Sequence, residues 1–370
     1  MNPHRARLRL LTLIAAAAVS LALSEAGLRV AGPPWLRAHM DELAAGHQIL
    51  GEASTALAYV EHRGDGAFVR FRPGGSFSLL DPEFRTAVQI TRWGTRATGT
   101  DAAGPDTVVF VGDSFTFGMG VNDGETFVSL VCDTRHLSCL NAGFPASALP
   151  NQLDVVEQNF AAWGRPRRIV FVFFAGNDLP EMIAFDQAAR GEPQPRASRT
   201  ARVAGIVNSA LNATPALNRS YLLQLMKATS RAWIAPQGMD LMFVTAAGAR
   251  GDFGRQAEAA LDRSLDRLER VSSALGFSPV FVIIPDRYQV YASAAADKAR
   301  YYRLDPGDLD MRFPQQALGR ALDRRGIPYL DLLSCAEAQA QGLYYRSDNH
   351  LTPAGHAAVG RCLLRARGIL

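Results

Sequence analysis

The chain has 370 residues, of which 48% are hydrophobic, and its formal net charge is +4. This length allows one large domain, or one large and one small domain, with an ample core. Lysine occurs only as Lys227 and Lys298, and the arginines are scattered apart from an N-terminal group. Scattered charge of both signs is typical of a solvated surface, so we expect no nucleic-acid partner.

The N-terminus combines a basic segment with an apolar run, as in an export signal. Three arginines precede the apolar residues Leu10–Leu23, and the stretch Leu8–Ala31 is long enough to span a bilayer. We interpret residues 1–31 as a signal anchor or a signal peptide. An anchor holds the catalytic domain at the membrane outside the cytoplasm, in the periplasm or extracellular space. Cleavage near Ser24 would instead release a secreted protein.

The cysteine count agrees with an oxidising compartment. Cys132 and Cys139 flank a short segment, and Cys335 and Cys362 lie near the C-terminus. Pairing of sequence neighbours is the simplest prediction, and four buried free thiols are the alternative. Neither Cys-x-x-Cys nor His-Glu-x-x-His occurs, so we predict no metal site and no cofactor.

Residues 33–104 form a lead-in segment with a pattern of its own. The stretch 35–50 has the spacing of a short amphipathic helix. From Tyr59 to Gln89 apolar and polar residues alternate between glycines, which predicts a few short strands. Small residues from Thr98 to Pro105 then form a linker.

From residue 105 onward, strand and helix patterns alternate, which indicates a parallel sheet covered by helices on both faces. Helical spacing occurs at Gln152–Trp163 and Arg255–Leu275. Catalytic residues of such a sheet lie beyond the carboxyl ends of the strands. The predicted strands are Thr107–Val111, Ser138–Asn141, Ile169–Phe174, Val280–Ile284 and Tyr329–Asp331.

The segment of about 181–239 interrupts this alternation. It begins with a polar, proline-containing loop at residues 191–195 and continues into a predicted helix around Tyr221–Ile234. We interpret it as a helical insertion over the site, with the possible role of a lid, within a domain of residues 105–370.

The most informative stretch is Val108–Val121, which reads Val-Val-Phe-Val-Gly-Asp-Ser-Phe-Thr-Phe-Gly-Met-Gly-Val. A short buried strand runs into a strand-to-helix turn, where Gly112 permits a tight backbone. Ser114 follows with its hydroxyl at the mouth of the sheet. A nucleophile in that position can meet a substrate, and backbone N–H groups there can receive an oxyanion.

Three further polar blocks follow predicted strands. Each block alone also fits a structural role, because Asn177 and Asp178 can cap a helix and Gly143 can serve a turn. Together they supply a serine, a small-residue turn, an amide and a late Asp/His pair, which is the set that acyl transfer requires. The blocks are Asn141-Ala142-Gly143, Gly176-Asn177-Asp178 and Ser347-Asp348-Asn349-His350-Leu351-Thr352-Pro353.

With these blocks in this order, the sequence resembles the SGNH (GDSL-type) hydrolase superfamily over roughly residues 106–370. The resemblance implies an α/β fold, a flavodoxin-like three-layer sandwich with about five parallel strands. It implies that Ser114 is the nucleophile, that His350 is the base and that Asp348 orients His350. The backbone N–H groups of Ser114 and Gly143 and the side-chain amide of Asn177 would form the oxyanion hole. We expect Asp113 to fix the turn structurally.

The acid–base pair departs from the commonest family pattern. Many members place the aspartate three residues before the histidine, whereas Asp348 and His350 are two apart. The two side chains could meet on one face of an extended strand or through a turn. The Asp-x-His form is found in SGNH proteins similar to those that acetylate exopolysaccharides, and also in hydrolases. We expect His356 to pack within the last helix, which Thr352 and Pro353 begin.

Three functions compete. The leading hypothesis is a carboxylic-ester hydrolase acting on an extracytoplasmic small-molecule or carbohydrate acyl ester. The second is an O-acetyltransferase that uses the same residues to modify a cell-envelope polysaccharide. The third is a non-enzymatic carbohydrate-binding protein on a degenerate fold, and the intact serine, amide and Asp/His residues argue against it.

Overall fold

The structure is a computed structural model. It describes residues 3–37, 40, 60–63, 66–69, 71, 73–81, 83–191, 217, 219–230, 241–333, 335, 342–346, 348–366 and 368–370. The chain divides into two compact units. One unit comprises residues 1–44, 196–239 and 296–305, and the other comprises residues 45–195, 240–295 and 306–370. Most of the helix predicted over 35–50 and most of the proline-containing loop at 191–195 lie outside the described residues.

The described helices and strands alternate through the larger unit. The helices include α1 (Pro3–Ala31), α2 (Ser114–Phe117), α3 (Phe127–Arg135), α4 (Leu149–Asn159), α5 (Asp178–Ala189), α6 (Tyr221–Ser230), α7 (Leu241–Gly248), α8 (Asp252–Leu275), α9 (Arg287–Val290), α10 (Ala292–Tyr302), α11 (Phe313–Asp323) and α12 (Pro353–Arg365). The strands include β1 (Val60–Arg63), β2 (Gly66–Val69), β3 (Ser76–Leu80), β4 (Arg85–Gln89), β5 (Val108–Gly112), β6 (Cys139–Gly143), β7 (Arg168–Phe174), β8 (Ser278–Ile284) and β9 (Tyr329–Asp331).

The last five strands form one parallel sheet in the order β6-β5-β7-β8-β9. Each coincides with a predicted strand to within about two residues, so the predicted fold class is confirmed. The first strand of the sheet lies inside it, between the second and the third. Connections therefore leave β5 in opposite directions, and a ligand crevice forms at such a reversal, outside the carboxyl ends of the strands.

The sheet is buried on both faces because its strands are almost continuously apolar. Alternate residues of β5 point to opposite sides. Val109 and Val111 join a core with helices α4, α5, α8 and α11, and Val108 and Phe110 join a core with α3 and α12. These two cores make the sheet the middle layer of a three-layer sandwich.

The lead-in segment contains two antiparallel hairpins, β1–β2 and β3–β4, as the alternating pattern predicted. The β3–β4 hairpin shares a small apolar core with the turn that follows Ser114. Phe71 and Phe117 lie in contact there, with ring centroids 5.0 Å apart. The lead-in is therefore packed against the strand-to-helix turn of β5.

Arg96 connects the lead-in to that turn from a fully buried position. Its guanidinium donates to the carbonyl oxygens of Phe117 at 2.8 Å, Gly118 at 2.6 Å and Val121 at 2.5 Å. It also forms a 2.8 Å ion pair with Asp123. Breaking a buried pair of this kind typically costs about 3–5 kcal/mol. The loop after the nucleophile is thus held by hydrogen bonds that the chain cannot replace.

Both predicted disulfides are present. Cys132–Cys139 joins α3 to β6 with a Cα–Cα distance of 6.2 Å, and Cys335–Cys362 ties a segment after β9 to α12 with 6.5 Å. Both Cα distances lie within the range of ordinary disulfides.

The smaller unit contains α1, whose residues Leu11–Ala31 are long and apolar enough to cross a membrane. Its large apolar side chains are exposed, for example Leu13 and Leu23. Near its end, Glu25 accepts hydrogen bonds from the backbone N–H groups of Tyr221 at 3.0 Å and Leu222 at 2.9 Å. Glu25 thereby caps the N-terminus of α6, where backbone donors have no partner inside the helix.

Candidate active site

Ser114 stands directly after β5, as the first residue of α2. Asp113 caps this helix, because its Oδ1 accepts from the backbone N–H of Phe115 at 2.9 Å. The predicted structural role of Asp113 is confirmed by this bond. The first N–H groups of a helix have no acceptor inside it, so the N–H of Ser114 is not used by α2.

Gly112 is required for space at this turn. A Cβ at this position would overlap the Thr116 hydroxyl and lie 2.9 Å from the Val172 carbonyl oxygen. The first turn of α2 can therefore fold back over the end of β5 only because Gly112 has no side chain.

The structure brings Ser114, His350 and Asp348 together. Ser114 Oγ lies 2.8 Å from His350 Nε2, and His350 Nδ1 lies 2.5 Å from Asp348 Oδ1. A carboxylate only accepts hydrogen bonds, so Nδ1 carries the proton that it donates to Asp348. In the neutral ring, Nε2 then accepts from the Ser114 hydroxyl. This is the arrangement in which a serine can lose its proton to a histidine.

The two-residue spacing of Asp348 and His350 is accommodated by a turn. Asp348 Oδ1 accepts from the backbone N–H of His350 at 2.7 Å as well as from its ring. The loop is closed by the Tyr345 N–H, which donates to the His350 carbonyl at 3.0 Å. The turn, rather than an extended strand, brings the two side chains together.

The lead-in segment holds this loop through Glu83. Its carboxylate accepts from the backbone N–H groups of Arg346 at 2.9 Å and Asp348 at 3.0 Å. Sequence reasoning missed this residue. Glu83 and Arg346 are 263 residues apart along the chain, and nothing in the local pattern around Glu83 marks the contact.

Two further contacts fix the loop to its surroundings. The Asn349 amide donates to Asp286 Oδ2 at 3.2 Å, at the end of β8. The Tyr345 hydroxyl donates to the Gly120 carbonyl at 2.6 Å, in the loop that follows α2. The loop that carries His350 is thus bonded to the same segment that carries Ser114.

Gly143 lies at the end of β6, beside the turn of Ser114. Its N–H donates to Asn141 Oδ1 at 3.1 Å, and Asn141 in turn donates from Nδ2 to the Thr116 carbonyl at 2.8 Å. A Cβ at Gly143 would overlap the backbone of Phe117. Gly143 therefore permits close packing of α2 on β6, and its role as an oxyanion donor stays a prediction.

Asn177 immediately precedes α5 and follows β7, the strand next to β5. The carboxyl ends of neighbouring parallel strands meet at one edge of the sheet, so Asn177 and Ser114 share that edge. The Asn177 side chain donates from Nδ2 to Glu181 Oε1 at 2.8 Å. Its second N–H hydrogen remains available to a ligand, and its role as an oxyanion donor is likewise a prediction.

Acidic groups surround the site. Burial lowers the pKa of His350, but the carboxylates of Asp348 and Asp113 outweigh that effect, so the net pKa is raised. Burial raises the pKa of Asp113 to about 6. Burial and the nearby Asp113 raise the pKa of Glu181 to about 7, and the pKa of Asp178 is also raised. The site therefore favours a histidine that accepts a proton and stays paired with Asp348.

His356, the other nearby imidazole, packs inside the fold as predicted. It is buried in α12, and its Nδ1 accepts from the Phe127 N–H at 3.2 Å. Burial, followed by the charge of Arg96, lowers the pKa of His356 to about 3. A ring that stays neutral and bonded to the backbone has a packing role.

Comparison with known families supports the same interpretation. A family model described as "SGNH hydrolase-like domain, acetyltransferase AlgX" matches residues 242–366. The resemblance to SGNH hydrolases is confirmed over this stretch, which includes Asp348 and His350 and leaves Ser114 outside. No curated protein matches the sequence.

Solved structures with similar folds include three hydrolase-like proteins. An α/β hydrolase from the metagenome of Lake Arreo is 13% identical, with 73% of this chain and 98% of that chain covered and a TM-score of 0.39. A putative lipolytic protein of the G-D-S-L family from Desulfitobacterium hafniense is 13% identical, with 70% and 99% covered and a TM-score of 0.33. A catalytic mutant of an acetylxylan esterase from Geobacillus stearothermophilus is 12% identical, with 73% and 97% covered and a TM-score of 0.37.

The electrostatics predict two contrasting histidine titrations. His350 should titrate above the usual value of about 6.5, and His356 should stay neutral down to about pH 3. In Asp348→Asn the pKa of His350 should fall, because the amide carries no charge to stabilise the imidazolium. NMR of histidine-labelled protein measures both values, and His356→Ala assigns the second signal. An unchanged His350 pKa in Asp348→Asn would show that Asp348 is not its charge partner.

Proposed function

We propose that the protein is a serine-dependent carboxylic-ester hydrolase that acts on an extracytoplasmic acyl ester through an acyl-enzyme. The observation that carries this proposal is the hydrogen-bonded series from Ser114 Oγ to His350 Nε2 and from His350 Nδ1 to Asp348. A serine hydroxyl is inert until a base takes its proton, and a histidine held by a carboxylate is suited to that task.

In the first half-reaction, Ser114 Oγ attacks the acyl carbon while its proton moves to His350 Nε2. The negative charge on the carbonyl oxygen is stabilised by the N–H of Ser114 and the amide of Asn177. The N–H of Gly143 would be a third donor, with its hydrogen shared with Asn141 Oδ1. When the C–O bond to the alcohol breaks, the imidazolium returns its proton to the leaving oxygen.

In the second half-reaction, water takes the place of the alcohol. His350 removes a proton from the water as it attacks the acyl-enzyme, and the acid is released with Ser114 protonated again. Both halves need neutral His350. Activity should therefore fall as the pH drops through the His350 pKa, which Asp348 raises.

O-acetyl transfer to a cell-envelope polysaccharide is the second candidate, and it shares the acyl-enzyme. The family model that matches residues 242–366 is described as that of an acetyltransferase. In this reaction a sugar hydroxyl replaces water in the second half-reaction, and Ser114, His350 and Asp348 keep their roles.

The decisive assay follows the fate of the acyl group. Full-length protein in detergent is given p-nitrophenyl esters of different chain length, with and without oligosaccharide acceptors. A hydrolase should release free acid at a rate that acceptors do not change, whereas a transferase should form acylated sugar at the expense of free acid. Ser114→Ala should lower kcat by on the order of 10⁶-fold, as for a comparable serine nucleophile. His356→Ala is the matched control and should retain turnover.

Two outcomes would contradict the proposal. Wild-type turnover in Ser114→Ala would remove the nucleophile from the account. Failure of the wild-type protein to react with either esters or a serine-directed phosphonate would favour a non-enzymatic carbohydrate-binding role.

We also propose that α1 is retained as a membrane anchor with the catalytic domain outside the cytoplasm. Its exposed apolar surface suits a bilayer, and Glu25 caps α6, a contact that cleavage near Ser24 would free from the helix. The protein should stay in the membrane fraction after carbonate extraction, together with a known integral membrane protein as control. Recovery of a soluble chain that begins near Glu25 would contradict retention.

A further inference from the structure

Glu181 is a buried carboxyl group at the site for which the mechanism has no use so far. It lies in the first turn of α5, one turn beyond Asn177, and the two side chains therefore lie on the same side of the helix. The Asn177 Nδ2 donates to Glu181 Oε1 at 2.8 Å. The amide predicted to stabilise the oxyanion is thus bonded directly to this carboxyl group.

The remaining oxygen atoms of the pair are buried without a hydrogen-bond partner in the described part of the chain. They are Oδ1 of Asn177 and Oε2 of Glu181. An unpaired buried polar atom costs about 1–3 kcal/mol. A neutral carboxylic acid resolves both at once, because its O–H can donate to the amide oxygen while its carbonyl accepts the amide N–H.

The charges around Glu181 favour that neutral form. Asp113 faces it from the turn of Ser114, and Asp178 lies in the same helix turn. All three carboxyl groups are largely withdrawn from water, and like charges in one buried site oppose ionisation. Burial and the charge of Asp113 accordingly raise the pKa of Glu181 to about 7.

A carboxamide nitrogen carries two hydrogens in one plane. When one is bonded to Glu181, the orientation of the plane is fixed, and the second hydrogen points in one defined direction. An amide fixed before the reaction stabilises a developing charge without reorganisation. An unsupported amide would rotate or exchange its oxygen and nitrogen positions.

We propose that Glu181 is a positioning residue that holds the Asn177 amide with its second N–H directed at the oxyanion. The inference rests on the proposed function, since it assumes that Asn177 stabilises an oxyanion. Glu181 itself touches neither substrate nor the reacting atoms. Its effect on turnover should therefore pass entirely through Asn177.

A double-mutant cycle with p-nitrophenyl ester as the probe tests this. Glu181→Met keeps the side-chain length and removes both polar atoms, so kcat should fall by about 10-fold to 100-fold with KM nearly unchanged. The full loss of an oxyanion donor is about 10²-fold to 10³-fold, and Asn177→Ala should show it. In the Asn177→Ala background, Glu181→Met should cost no more than about twofold, because coupled residues are not additive.

Two further variants separate positioning from a structural effect. Glu181→Gln should recover most of the loss, because an amide can also donate to Asn177 Oδ1 and accept from Nδ2. Asp186→Asn, on the same helix and ion-paired with Arg263, is the matched control and should leave kcat unchanged. If Glu181→Met does not fold, Glu181→Gln and Glu181→Ala complete the cycle.

The outcomes are distinct. Equal losses from Glu181→Met in the wild-type and Asn177→Ala backgrounds would overturn the inference, as would wild-type kcat in Glu181→Met. If Ser114→Ala kept its turnover, the proposed function itself would fail. An inactive Ser114→Ala together with a fully active Glu181→Met would leave the function intact and remove Glu181 from it.

Discussion

Asp348 and His350 are separated by one residue, and so short a segment reaches a nucleophile only if its backbone is held in a turn. Backbone hydrogen bonds to Glu83 and the bond from Tyr345 to the Gly120 carbonyl hold it there. Glu83 belongs to the lead-in hairpin, outside the central sheet. The lead-in is therefore part of the support of the site, because without it the histidine loop would lose two of its backbone acceptors.

The nucleophile turn is supported in a different way, by close approach of backbones. Gly112 and Gly143 leave room for α2 to lie against the ends of β5 and β6. The buried guanidinium of Arg96 then satisfies three carbonyl oxygens of the loop that follows. Both sides of the Ser114–His350 hydrogen bond are thus fixed by atoms that take no part in chemistry. Catalytic geometry of this kind requires groups held to within fractions of an ångström.

The fold was predictable because its signals are local. Buried strands such as β5 and β7 are unbroken apolar runs, and Thr352 followed by proline marks the start of α12. The order of the polar blocks predicted which side chains would meet. Glu83 and Arg96 were not predictable, since their partners are remote in sequence and no local pattern selects them. Glu181 had a weak signal, its position four residues after Asn177 on a helix, which sequence reasoning did not use.

The claim on which the account depends is that Ser114 becomes acylated. Full-length protein can be mixed with p-nitrophenyl acetate, quenched in acid within a turnover and digested for mass spectrometry. The account predicts an acetyl group on the peptide that contains Ser114, absent in Ser114→Ala and persistent when His350→Ala is acylated slowly and cannot release it. Ester turnover with the acetyl group on another residue, or with no acylated peptide at all, would contradict it.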